Sequence, residues 1–144
     1  MRALIAYLSY SGNTKEVAEL VEDKLREEDV IVEVHRIGID APIDPEHYDY
    51  LFIGTFTWDM GRTPEEMKDF VLEIGYKPNN IVVFGSGDTQ FGGDDMFCGA
   101  VDKLVRFYQS KWNGLKVEQS PRGSQEEKVQ SWVEGVLYHA KSIA

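Results

Sequence analysis

A single cysteine, Cys98, three histidines and no long apolar run set the first limits on this chain of 144 residues. One cysteine excludes an internal disulfide and suits a reducing, cytoplasmic setting. The histidines, His35, His47 and His139, are scattered as surface residues would be, and with one thiol they suggest no zinc or iron–sulfur ligand set. No apolar segment approaches the length a membrane-spanning helix needs, and the N-terminus enters a strand-like run with no leader pattern. Cations are also scarce: 15 Lys+Arg against 25 Asp+Glu leave a net charge of −10. Nucleic acid and anionic membranes are poor partners for that surface, whereas a basic protein face would be drawn to it. Acidity of this degree also serves solubility alone.

What is present is an alternation. Apolar strand-like runs at 3–8, 30–34, 50–54, 80–84 and 115–118 are separated by helical patterns at about 14–27, 64–74, 97–110 and 125–140. Strands alternating with helices predict an α/β domain with a parallel sheet and right-handed crossovers, one domain spanning 1–144. Thr63-Pro64-Glu65-Glu66 predicts a capped helix start with Pro64 at the first helical position, and Ser124-Gln125-Glu126-Glu127 reads as a capping box. The stretch from 35 to 49, with two prolines and no strong period, reads as a connection.

Three segments leaving strand ends carry unusual residues. The first, Ser9-Tyr10-Ser11-Gly12-Asn13-Thr14, is a hydroxyl-rich turn opening a helix whose apolar face holds Val17, Leu20, Val21 and Leu25. Alone it fits an ordinary surface turn capped by Asn13 or Thr14. It also suits a phosphate, held mainly by helix N–H groups and neutral donors, with Lys15 the nearby cation. It matches neither a Walker A loop nor the three-glycine dinucleotide fingerprint. The second, Thr55 to Thr63, offers Trp58 as a flat apolar wall. The third, Gly85 to Cys98, has glycines at 85, 87, 92 and 93 that permit close backbone approach, with Phe91 as a second wall among Asp88, Asp94 and Asp95. In parallel sheets such loops converge beyond the strand carboxyl ends. A phosphate turn and two aromatic loops together suit flavin mononucleotide (FMN).

With these motifs in register, the whole chain resembles the short-chain flavodoxins. Ser9-x-Ser11-Gly12-Asn13-Thr14 is similar to the family's phosphate loop, Thr55-x-Thr57-Trp58 to its first flavin loop, and Gly85-Ser86-Gly87-Asp88-Thr89 with Phe97-Cys98-Gly99-Ala100-Val101-Asp102 to its second. The resemblance implies a doubly wound five-stranded parallel sheet of order 2-1-3-4-5 with helices on both faces. It also implies noncovalent FMN and one-electron transfer between redox proteins, a carrier and not a stand-alone enzyme. By the same likeness Ser9, Ser11, Asn13 and Thr14 would hold phosphate, aided by the Tyr10 and Gly12 backbone. Trp58 and Phe91 would cover the two ring faces. Thr55, Thr57, Asp59, Met60, Gly61, Ser86, Gly87, Asp88 and Asp95 would complete the loops around the ring. The partners implied are basic-faced redox proteins such as ferredoxin/flavodoxin-NADP reductase and acceptor enzymes, with the protein itself a monomer.

Two departures stand out. Asp59 and Met60 follow the tryptophan where many relatives have glycine, which predicts weaker stabilisation of one-electron-reduced flavin. Phe91 replaces the usual tyrosine in a loop two residues longer than the commonest spacing. Two other readings compete: a related flavoprotein that activates manganese ribonucleotide reductase, reminiscent of Gln90 to Phe97, and a non-redox phosphoacceptor module on the same topology. Against the latter, Ser9, Thr55 and Gly85 follow the strands where a phosphorylatable Asp would be needed.

Overall fold

The computed structural model describes residues 1–10, 12–57, 63–87, 98–118, 121 and 123–143. Along the chain run β1 (Arg2–Tyr7), α1 (Asn13–Glu27), β2 (Ile31–Arg36), a single 3₁₀ turn (Pro45–His47), β3 (Tyr50–Phe56), α2 (Glu65–Ile74), β4 (Ile81–Gly87), α3 (Gly99–Tyr108), β5 (Leu115–Glu118) and α4 (Ser124–Ile143). The strands form one parallel sheet in the order β2-β1-β3-β4-β5, as the resemblance implied.

The central strands are apolar on both sides because both faces are covered. Ala3, Ile5 and Tyr7 of β1 join Phe52, Phe84, Val17, Val21, Val129 and Val133 in one core, under α1 and α4. Leu4 and Ala6 point the other way, into a second core with Ile53, Val83, Met67, Phe70, Val101 and Leu104 under α2 and α3. The helices therefore lie on both faces.

Several details depart from the sequence reading. β3 and β4 run on to Phe56 and Gly87, so Thr55, Ser86 and Gly87 belong to strands and not to loops. Ladder pairing prevails over their composition: Thr55 pairs with Gly85 and Phe56 with Ser86. Pro64 occupies the cap position of α2 and not its first helical residue, and its carbonyl accepts from the N–H groups of Met67 (3.1 Å) and Lys68 (3.2 Å) without a side-chain cap. Ser124 is already helical, and the Gly123 carbonyl accepts from the Glu126 N–H at 3.1 Å, so the helix begins one residue before the start that the expected capping box implied.

Two buried charged or titratable groups escaped the sequence reading. Lys24 lies on the apolar side of α1 and is 8% exposed. Its ammonium meets Glu134 of α4 at 2.9 Å, Glu28 at 3.3 Å and Glu27 at 3.7 Å. The hydrogen bond to Glu134, stronger than the opposing desolvation, holds its pKa above the ordinary lysine value. The arrangement ties α1 to α4 because a buried cation must be paired.

His35 is not a surface residue: it is 4% exposed and stacks on Phe70 of α2 with ring centroids 5.7 Å apart. Burial pushes its pKa below 6.5, and the charges of Asp40 and Glu73 oppose that only in part. The folded state therefore prefers neutral imidazole. Its contribution is complete above pH 6.5 and is lost as pH falls through that value toward the lower folded pKa. Urea midpoints taken between about pH 7 and pH 5 should fall more steeply for the wild type than for His35→Gln. Parallel declines would show that His35 does not carry the effect.

Candidate functional site

The carboxyl ends of β1, β3 and β4 define one end of the sheet. There the Leu8 N–H continues the ladder to the Gly54 carbonyl at 3.0 Å, and the chain then turns into α1. Ser9 shapes this turn: its Oγ accepts from the Gly12 N–H at 3.2 Å and from the Lys15 N–H at 3.3 Å. Gly12, and not Asn13 or Thr14, is the cap residue, with φ 95° and no side-chain cap bond. A side chain would be strained in that left-handed conformation, yet a Cβ there would meet nothing within 4 Å. Backbone geometry therefore favours glycine, and among the described residues nothing would contact a Cβ at this position.

The turn is braced on both sides. The Tyr10 ring, 60% exposed, packs on Phe56 at 5.0 Å. A hydrogen bond to Glu66 raises the Tyr10 phenol's pKa. Thr14 is buried, and its Oγ1 lies 2.7 Å from the Ser86 Oγ on β4. Asn13 opens α1 beside the cap.

At the end of β3, Thr55 is fully buried and its hydroxyl donates to the Phe56 carbonyl at 2.8 Å, a bond that supports the strand end. The Thr57 Oγ1 accepts from the Ala100 N–H at 3.2 Å, at the start of α3. Thr57 thus joins the segment after β3 to the helix after the third loop. Cys98, left-handed at φ 51°, precedes α3 with its thiol 3.9 Å from the Gly85 and Val117 carbonyls. Burial pushes that thiol's pKa up to about 12, so it is scarcely ionised at neutral pH.

Of the sequence-expected site residues, Ser9, Tyr10, Gly12, Asn13, Thr14, Thr57, Ser86 and Gly87 come together at this end of the sheet, with Thr55 beneath them. Ser11, Trp58, Asp59, Met60, Gly61, Asp88, Phe91 and Asp95 lie outside the described residues. Sequence reasoning missed the crevice on the β2 side of the turn. It measures about 230 Å³ and is lined by Tyr7, Tyr10, Lys15, Arg36, Ile37 and Ile39 together with the turn. Arg36 is held there by Asp40, at 2.9 Å through one guanidinium nitrogen and 3.3 Å through another. Its β2-side wall, from Arg36 at the strand end and from Ile37 and Ile39 in the aperiodic stretch that follows, is announced by no local pattern.

A helix N-terminus, a left-handed glycine and converging hydroxyls at the switch in strand order define a doubly wound α/β protein suited to a phosphate-bearing ligand. The comparisons agree. A sequence model of the flavodoxin family, described as "Flavodoxin", matches residues 5–132. Probable flavodoxin 2 of Bacillus subtilis (strain 168) is 35% identical over 139 residues, covering 89% of each chain. A flavodoxin of Streptococcus pneumonia TIGR4 superposes with a TM-score of 0.84 at 31% identity, over 96% of this chain and 99% of that one. A short-chain flavodoxin associated with a bacterial microcompartment gives 0.86 at 27% identity, over 97% and 99%. This chain belongs to the flavodoxin family, of the short-chain kind. Flavodoxins bind FMN and carry electrons, which sets aside the phosphoacceptor reading.

Proposed function

We propose that this chain is a low-potential one-electron carrier that takes electrons from a basic-faced ferredoxin/flavodoxin-NADP reductase and passes them to acceptor proteins. The observation that carries the reading is the Gly12 turn, where a left-handed glycine and the Ser9 hydroxyl shape the start of α1 and, among the described residues, nothing stands within 4 Å of a Cβ at position 12. Ser9, Ser11, Asn13 and Thr14 hold the phosphate with the Tyr10 and Gly12 backbone. Trp58 and Phe91 enclose the ring, and backbone groups of 58–61 and 86–88 meet its edge. Asp95 stands in the surrounding loop. When bound, FMN supplies the redox chemistry, while the protein sets the field in which it operates.

That field is negative. The net charge of −10 and a phosphate site built mainly from neutral donors disfavour a further electron on the bound ring, which lowers the potential. The same charge orients a basic reductase. The protein acts as a single-domain cytoplasmic monomer and needs a partner enzyme for turnover.

The test is direct. The purified protein should be yellow, contain FMN and be reduced by NADPH through the reductase. The rate should fall several-fold as ionic strength rises from about 0.01 to 0.5 M, because screening shortens the steering range. A salt-independent rate overturns the steering. Failure to accept electrons, with tight binding to a ribonucleotide reductase subunit, favours the activator reading.

A further inference from the structure

We propose that Ser86 is a positioning residue for the phosphate end of FMN, acting through Thr14; this rests on reading the turn at 9–14 as the phosphate site. Next to the turn the buried side of α1 is apolar, with Val17, Ala18 and Val21 following Thr14; the buried Lys24 lies further along the helix and pairs with Glu134 of α4. Where this seam reaches the turn, two hydroxyls replace hydrocarbon. Thr14 and Ser86 are 1% and 3% exposed, and their oxygens lie 2.7 Å apart. Buried hydroxyls are costly unless paired, so each depends on the other.

The pair connects two parts of the site that are 72 residues apart in sequence. Ser86 is set firmly, since it lies in register with Phe56 on β3 and Val117 on β5. Thr14 belongs to the first turn of α1, whose cap residue is a glycine with no side chain to brace it. The bond therefore fixes the height of the helix start, and of its amide donors, above the sheet. It also fixes a proton direction. Each hydroxyl has one proton, and an anion on the turn favours Ser86 donating to Thr14, leaving the Thr14 proton to face the anion. Polarised chains of this kind are stronger than their separate bonds.

The consequence is specific to the phosphate. FMN and riboflavin, which lacks it, should be titrated into apoprotein of the wild type, Ser86→Ala, Thr14→Val and the double variant. Ser86→Ala should weaken FMN roughly ten-fold while changing riboflavin by no more than about two-fold. Thr14→Val should weaken FMN at least as much, with the double variant no weaker than Thr14→Val alone. Thr14→Ser keeps the hydroxyl and should retain most of the FMN affinity, and apoprotein melting curves establish that each variant folds. Equal losses for both ligands, additive losses in the double variant, or an unchanged FMN affinity for Ser86→Ala each overturn the proposal. If Thr14→Val also leaves FMN affinity unchanged, the assignment of Thr14 to the phosphate site falls with it. If only Ser86→Ala is silent, that assignment stands.

Discussion

Riboflavin will bind the apoprotein at least about a hundred-fold more weakly than FMN, because charge-assisted hydrogen bonds contribute about 1.5–3 kcal/mol each and the phosphate is expected to make at least two. The Gly12 turn has the parts such bonds need: the positive end of α1, a Ser9 hydroxyl that gathers the Gly12 and Lys15 N–H groups, and, among the described residues, nothing within 4 Å of where a side chain would stand. Lys15 adds a cation at the same turn. Fluorescence titration of apoprotein with each flavin gives the ratio directly. Indistinguishable affinities would deny the turn any role in holding phosphate, whatever the ring loops do.

Gly85→Ala will cost about 3 kcal/mol of stability, the upper part of the usual overpacking range. A Cβ at position 85 would stand 2.5 Å from the Thr55 carbonyl oxygen and 2.5 Å from a Val101 methyl. The methyl can turn, but the oxygen belongs to the neighbouring central strand, so relief requires β3 and β4 to separate or α3 to lift. For a chain of this size each kcal/mol lowers the melting temperature by roughly 2–4 °C, giving an expected drop of about 6–12 °C. Gly135→Ala is the matched control: it is exposed within α4, and its added Cβ meets nothing within 4 Å. There the substitution should stabilise by about 0.5–1 kcal/mol through helix propensity. A Gly85→Ala melting temperature equal to the wild type would mean that the sheet yields more easily than its packing indicates.

The outcome at Gly85 also explains why strand ends were hard to read. A glycine followed by serine, glycine and aspartate has the composition of a loop. What makes Gly85 a strand residue is the close approach of Thr55 from β3, visible only after the two strands are paired. The helix starts follow the same pattern. Asn13, Thr63 and Ser124 are all sound cap residues, yet Gly12, Pro64 and Gly123 stand just before the three helices. The caps expected from composition were near the right places but one residue off.

The burial of His35, read as a surface residue, and of Lys24, on which the sequence is silent, has another cause. A histidine in an edge strand and a lysine in an amphipathic helix are normally solvated, and nothing nearby in sequence says otherwise. Phe70, more than thirty residues on, covers His35, and Glu134 of the last helix meets Lys24.

By itself the sequence determined the order of strands and helices, the hydroxyl turn with its glycine, and hence the family. These rest on short-range chemistry: hydrophobic period, turn conformation and the donors a helix start exposes. The tertiary structure alone decided where the central strands end, which polar groups are buried, and that Thr14 meets Ser86. Those outcomes depend on which distant segments pack together, and burial changes the energy of a polar group far more than its sequence neighbours do.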